Sequence, residues 1–177
     1  MKLYLARVPT IASQIVESLI FDGSIEVIAS NRFEAENDLS AIMEEFLRRE
    51  KQIMRETKDT MSAFEIPYDR FSSQRSKLCK KKNHPTGKDI EKYLARQFIE
   101  SFMISNFVDE VYATDEDMYK KILSILRSFH VDEAALREEA KSKITNITEG
   151  TVEYEMALRQ AIVEVKRKKG LLSKRKN

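Results

Sequence analysis

The stretch Phe98-Ile-Glu-Ser-Phe-Met-Ile-Ser-Asn-Phe-Val-Asp-Glu-Val-Tyr112 decides how this chain is read, because an earlier stretch, Ile15-Val-Glu-Ser-Leu-Ile-Phe-Asp-Gly-Ser-Ile-Glu-Val27, repeats its pattern. Both run apolar-apolar-Glu-Ser, then three large apolar residues, then a break at Asn106 or Gly23, then an apolar-acidic-valine finish. Asn and Gly readily take the left-handed conformation that ends a helix. Each copy therefore predicts an apolar helix, a cap, a short extended connector and a new amphipathic helix. A shift of 83 residues superimposes Glu17-Ser18 on Glu100-Ser101. Beyond the break a shift of 84 superimposes Val27 on Val111, Leu39 on Leu123 and Ile42 on Leu126. The one-residue change falls in the connector, where an insertion is tolerated. The expected fold is all-α, with two related helical halves, each an apolar helix, a short connector and a longer amphipathic helix.

The rest of the composition agrees with helices. Among 177 residues there are only 4 Gly and 3 Pro, too little punctuation for a turn-rich β protein. A hydrophobic content of 42% with 34% charged residues describes a folded, well-solvated chain. Cys79 is the single cysteine, so no internal disulfide can form and a reducing cytoplasm is expected. No apolar run approaches the roughly 18 residues that span a bilayer, and Arg7 interrupts the apolar core a signal peptide needs, so neither membrane insertion nor secretion is expected.

Working outward from the repeat, Pro9 suits the first turn of a helix carrying Ile11, Ile15, Val16, Leu19 and Ile20 on one face. Asn31 with Glu34 reads as a capping pair for a long helix. That helix turns Leu39, Ile42, Met43, Phe46, Leu47, Ile53 and Met54 inward and fades near Thr57 to Thr60. Residues 67–88 form a basic connecting segment, with a sparse stripe of Phe71, Leu78 and Cys79 on a short helix and a turn at 83–87. Thr86 and Asp89 can cap the next helix, whose Ile90, Tyr93, Leu94, Gln97, Phe98, Phe102 and Ile104 make an unusually broad apolar surface. Thr114 with Asp117, then Asp132, then Thr151 open three further helices. The third of these carries Tyr154, Met156, Leu158, Ile162 and Val165, and the second carries Leu136, Ala140, Ile144 and Ile147 up to Gly150. Gly170 followed by Leu171 has the form of a helix end with a hydrophobic latch. The expected organisation is an N-terminal half over 1–66, the connecting segment over 67–88, a C-terminal half over 89–172 and a frayed basic tail over 173–177.

Met1-Lys-Leu-Tyr, Arg7-Val-Pro9, Gly23 with Ile25-Glu-Val27, Val108-Asp-Glu-Val-Tyr-Ala-Thr-Asp115, Glu149-Gly-Thr151 and Val165-Lys-Arg-Lys-Lys-Gly-Leu171 occur in this order. In these pieces the chain resembles the bacterial domain-of-unknown-function family numbered 507, over essentially its whole length. The match is weakest over 62–88. The resemblance implies a small helical protein of the bacterial cytosol and transfers no catalytic residue.

No motif specifies a reaction. Nucleophilic catalysis needs a nucleophile, a base and a group that orients the base. Only His84, in a basic turn, and His130, at a helix end, offer imidazoles, and a cation at a helix C-terminus suits the helix dipole without any chemistry. Lysines beside Cys79 can activate a thiol, but its place next to Leu78 reads as structural. Cys79 and His84 are two of the four ligands a structural zinc needs, and Lys80, Lys81 and Lys82 oppose a cation there. Asp109-Glu110 and Asp115-Glu116-Asp117 read as a solvated helix start, with no glycine-centred calcium loop. Pro85-Thr-Gly-Lys-Asp89 lacks the upstream glycine and the hydroxyl of a phosphate loop. No catalytic residue, metal ligand or cofactor is assigned, and no enzyme is expected.

Charge is the remaining functional signal. The net charge of +2 hides two acid-free basic runs, at 75–88 and 166–176. Phosphate backbones need only clustered Lys and Arg, so Arg75, Lys77, Lys80, Lys81, Lys82, Lys88, Lys166, Arg167, Lys168 and Lys169 are candidate nucleic-acid contacts. Phe64, Tyr68 and Phe71 can stack bases where exposed. The leading expectation is a non-enzymatic interaction or adaptor protein that self-associates or docks a protein partner through residues 90–104, with Phe98, Phe102 and Phe107 as interface candidates. The alternative is an RNA-, DNA- or ribosome-associated binder using the two basic runs.

Overall fold

A computed structural model describes residues 2–145 and 147–172. The expected tail at 173–177, with the basic residues 174–176, lies outside the described residues. Seven α-helices and two very short strands make up the described chain: α1 (Val8–Phe21), β1 (Ile25–Glu26), α2 (Arg32–Ala63), α3 (Phe71–Lys81), α4 (Asp89–Ile104), β2 (Glu110–Val111), α5 (Asp115–Ser128), α6 (Glu133–Lys141) and α7 (Val152–Lys168). The fold is all-α, and the expected class holds. The order helix–strand–helix occurs twice, as α1–β1–α2 and as α4–β2–α5.

The chain forms two compact units, one over Val8–Phe129 and one joining residues 2–7 to 130–172. In unit 1, α2 packs on α1, α3 and α4, while α5 packs on α1 and α4. The core joins Ile11, Ile15 and Leu19 of α1 to Leu39 and Met43 of α2, Leu94 and Phe98 of α4, and Met118, Ile122 and Leu126 of α5. The breadth of α4 has a simple cause. Ile90, Leu94, Ala95, Phe98, Ile99 and Phe102 are buried because the helix packs against both α2 and α5. Residues 67–88 do not separate compact units. They form α3 and its flanks within unit 1, held to α2 by Arg75–Glu50 at 2.8 Å and Lys82–Glu56 at 2.6 Å.

Unit 2 is built around Tyr4, Leu136, Ala140, Tyr154, Leu158, Val165 and Leu171. Residues 2–7 join α6 and α7 there, with Lys2 near Glu133 at 3.6 Å and Arg7 donating to the Lys169 carbonyl at 2.7 Å. Helix α6 stops at Lys141, well short of Gly150. Ser142 turns its hydroxyl to the Glu139 carbonyl, the kind of local bond that competes with helix propagation.

Several helix ends follow the sequence. Thr114 accepts from the Asp117 amide, Asp132 from the amides of Ala134 and Ala135, and Thr151 from the Tyr154 amide. Gly23 (φ +73°) and Gly170 (φ +65°) end α1 and α7 in the left-handed conformation, with Ser24 N donating to Leu19 O and Leu171 N to Lys166 O. Three expected caps fail. Asn31 already has near-helical backbone (φ −97°, ψ −5°) after a 3-10 turn, and its side chain makes no capping bond. Neither Thr86 nor Asp89 caps α4 with its side chain. Asn106 is not left-handed; α4 ends through an extended Ser105 (ψ 133°) whose hydroxyl donates to Asp38 at 2.6 Å. Met54, Ile104 and Met156 point outward, against expectation, and α2 runs unbroken through Thr57 to Ala63 because Thr57 and Met61 are buried on its inner face.

Candidate functional site

The two strands pair antiparallel, with Ile25 opposite Val111 and Glu26 opposite Glu110. Ile25 is buried and anchors this ribbon to the core of unit 1. The ribbon is extended by bonds from Asp109 N to Glu26 O (2.9 Å), from Tyr112 N to Ser24 O (2.9 Å) and from Ile28 N to the Asp109 carboxylate (2.8 Å). Like charges directly across a strand pair oppose pairing, by up to about 1 kcal/mol. Here the Tyr112 hydroxyl donates to Glu26, which relieves one of the two carboxylates. That hydrogen bond, then burial, then the charges of Glu26, Glu110 and Asp109 push the Tyr112 phenol above its ordinary pKa. At the ribbon's edge Lys121 bridges Asp22 (2.7 Å) and the Ser24 hydroxyl (2.7 Å). Burial pushes the Asp22 carboxyl up, but the bonds from Lys121 and Ser24 outweigh it and leave the group below its usual range.

Several large apolar side chains close to the strands in sequence reach solvent. Phe21 is 92% exposed and Ile104 82%, and Ile28, Met103, Phe107 and Tyr112 are exposed as well. Phe21 and Ile104 hold equivalent places in the two helices that lead to the strands. Each lies two residues after a buried side chain, Leu19 or Phe102, and so about 200° around the helix from it. The sequence places Leu19 and Ile20 on the inner face of the first helix and counts Ile104 in the broad apolar surface of the second. The helical angle is the signal that Phe21 and Ile104, the last members of the two apolar runs, face out.

Of the interface candidates, Phe98 and Phe102 are 0% and 3% exposed, so neither can meet a partner, and only Phe107 reaches the surface. Their burial follows from the double packing of α4. The basic candidates are divided. Arg75 and Lys82 are committed to Glu50 and Glu56, while Lys166 pairs with Glu133 at 3.0 Å and Lys169 with Glu139 at 2.9 Å. Lys77, Lys80, Lys81, Lys88, Arg167 and Lys168 remain exposed. Phe64 and Tyr68 are also exposed, and Phe71 stacks on Tyr68 with ring centres 5.7 Å apart.

The imidazole candidates part company. His130 is exposed, whereas His84 is 5% exposed and stacks on Phe46 at 4.7 Å. Asn83, at φ +49°, ends α3 in the left-handed conformation, with His84 N donating to Cys79 O. His84 thereby takes the place of the hydrophobic latch of such an end. Neither ring nitrogen has a hydrogen-bond partner. Burial depresses the imidazole pKa; Glu50 opposes this, and Arg49 and Arg75 reinforce it. Cys79 is buried too. Among the described residues no three His, Cys, Asp or Glu side chains gather as a metal ion would require, and no helix is long and apolar enough to cross a membrane.

Unit 2 has an outward stripe of its own. Val152, Met156 and Val163 of α7 are exposed, with Arg159 and Arg167 at the same helical spacing. The inward set is Tyr154, Leu158, Ala161 and Val165. Helix α7 is therefore amphipathic towards the core, and its exposed apolar residues lie among charges of both signs, Glu153, Glu155 and Glu164 beside Arg159 and Arg167.

These features define a class: an all-α protein with a two-stranded ribbon and with exposed apolar side chains on both of its compact units. The chain belongs to the family described as protein of unknown function DUF507, whose model matches residues 1–171. Among curated proteins, none matches the chain.

Proposed function

We propose that this protein is a non-enzymatic interaction protein that docks a protein partner through the ribbon face of unit 1. The observation that carries this reading is the exposure of Phe21 and Ile104 at equivalent positions beside the strands. Large apolar side chains concentrated beside one structural feature mark interaction surfaces more often than single scattered ones do. The Glu26–Glu110 juxtaposition supports it, because an exposed like-charge pair costs ribbon stability without serving the core. The test is site-specific photo-crosslinking in cells, with benzoylphenylalanine placed at position 21 or 104 and, as a control, at Glu44. Discrete protein adducts from 21 and 104 but not from 44 are expected. Adducts that are equal at all three positions, or absent, would sink the reading.

We also read α1–β1–α2 and α4–β2–α5 as two copies of one unit. The 84-residue shift carries Glu26 onto Glu110, and these residues pair across the ribbon, as a two-fold relation between copies would require. An experimental structure in which α1–β1–α2 fails to superimpose on α4–β2–α5 would refute it. The lone, buried Cys79 supports a reducing bacterial cytoplasm, which fractionation of cells can check.

A second reading, RNA or DNA binding, is supported by exposed Phe64 and Tyr68 shortly before exposed Lys77, Lys80 and Lys81 in the chain. It predicts fluorescence anisotropy with labelled RNA that falls steeply with salt and with neutralisation of those lysines. A flat signal at low salt eliminates it. The pairing of Arg75, Lys82, Lys166 and Lys169 with acids places this reading second.

A further inference from the structure

We propose that His84 is a pH-sensitive latch: on taking a proton it releases α3 and the turn that follows from α2, while α1, α4 and α5 stay folded. The proposal goes beyond the docking reading and does not depend on it.

Helix α3 is held by few contacts. Of its 11 residues only Cys79 is buried. The pairs Arg75–Glu50 and Lys82–Glu56 tie this segment to α2, but all four side chains are partly exposed, and ion pairs in contact with water hold weakly. His84 is a further anchor. It follows the left-handed Asn83, and its amide donates to Cys79 O at 2.9 Å. Its ring is buried and stacks on Phe46 of α2, with the two planes 17° apart.

That seat suits a neutral ring. Neither ring nitrogen has a hydrogen-bond partner. An imidazolium carries two N–H donors and a charge, and a buried charge without an acceptor is costly. The face of Phe46 attracts a cation, but weakly beside the loss of water around a buried charge. The charged groups that face the ring are Arg49 and Glu50 from α2 and Arg75 from α3, while Tyr93 of α4 meets Phe46 at 6.2 Å. Both arginines repel a further cation. Glu50 attracts one, but it already accepts from Arg75 at 2.8 Å. A protonated ring therefore has two exits, into water or onto Glu50. The first gives up the stack on Phe46 and the second the bond from Arg75, so either one undoes a link between α3 and α2.

The direction of the response follows from proton binding. The latched ring stays neutral, whereas the released ring binds a proton near the ordinary value of about 6.5. The released form therefore gains population as pH falls below that value, by up to about tenfold between about pH 7.5 and about pH 5.5. Carboxylates of ordinary pKa, about 4, take no part in this window.

Cys79 reports the release directly, because it is the single cysteine and is buried. The experiment follows its labelling by a small pyridyl disulfide in the full chain across that window. Each rate is divided by that of the urea-unfolded chain at the same pH, which removes the thiol's own ionisation. The wild-type ratio is expected to rise by up to about tenfold as pH falls. In His84→Leu and His84→Phe, which keep an apolar group for Phe46 but take no proton, the ratio is expected to stay flat. A flat wild-type ratio, or the same rise in either variant, overturns the latch. Peptide-resolved hydrogen exchange, corrected for its intrinsic pH dependence, locates the opening. At the acid end of the window α3 should lose protection while α1 and α4 keep theirs. Equal loss in all three helices means that unit 1 unfolds as a whole, and overturns the latch as well.

Discussion

Glu65 and Asn83 hold φ values of +51° and +49°, where a side chain meets its own backbone at a cost of about 1 kcal/mol. Each ends a helix, with Ile66 N donating to Met61 O and His84 N to Cys79 O, so the helix ends fix the conformation and the residue bears it. Glu65→Gly should therefore stabilise the protein by about 0.5–1 kcal/mol in urea unfolding, and Asn83→Gly by less, since Asn tolerates this region. An unchanged midpoint for Glu65→Gly would show the strain to be absent. Gly23→Ala should go the other way by a similar amount. No atom lies within 4 Å of an added methyl there, so the loss would come from φ alone. His84 gives a prediction in pH. Its depressed pKa means the folded state holds the imidazole neutral between Phe46, Glu50, Arg49 and Arg75, while the unfolded chain takes a proton near the ordinary value of about 6.5. The unfolded state binds more protons below that pH, so stability should be level above it and fall as pH drops from about 6.5 towards the depressed folded value. Urea unfolding at successive pH values for wild type and His84→Leu checks this. A wild-type curve as flat as the variant's through that window would refute it.

At the scale of elements, the helices were legible wherever periodicity and a side-chain cap agreed. Thr114, Asp132 and Thr151 each follow an extended residue geometry (ψ 154°, 100° and 157°) that leaves helix-start amides for the side chain to satisfy. Asn31 has the same chemistry, but a 3-10 turn runs into α2 and its backbone is already helical, which no inspection of residue types reveals. The end at Glu65 was illegible for the opposite reason, since its residue type disfavours the left-handed conformation found there, whereas Asn83 tolerates it and opens the turn read at 83–87. Asp132→Ala should cost about 1 kcal/mol and fray α6 first, seen as faster amide exchange at Ala134 and Ala135. Equal exchange in the variant would mean the cap is idle. The candidate site was legible only in part. The repeat pointed at the ribbon, but which member of each apolar triplet faces outward depends on helix phase. The sequence places the interface on Phe98, Phe102 and Phe107, of which only Phe107 is exposed, while the exposed Ile104 lies two residues past the buried Phe102. Phe98→Ala should accordingly act as a core truncation, costing about 3–5 kcal/mol in unfolding, rather than as an interface mutation.

Across the whole molecule, the N-terminal residues belong to the C-terminal unit, an arrangement no local pattern announces. The Arg7 guanidinium donates to the Lys169 carbonyl across 162 positions of sequence, and Tyr4 is buried among Leu136, Leu158 and Val165. Lys2 and Lys166 approach the Tyr4 ring at 5.6 and 5.4 Å, adding cation–π attraction to its burial. Helices α6 and α7 are two elements, few for a core of their own, and the tyrosine supplies one of the largest side chains between them. Unit 1 draws its core from α1, α2, α4 and α5. Tyr4→Ala should therefore remove about 3–4 kcal/mol from unit 2 and much less from unit 1. Hydrogen exchange resolved by peptide separates the two. Amides of α6 and α7 should lose protection in the variant, while those of α4, packed on both sides, keep theirs. Uniform loss of protection in every helix would mean the two units unfold as one, and unchanged protection in α7 would mean the Tyr4 ring is not part of the core of unit 2.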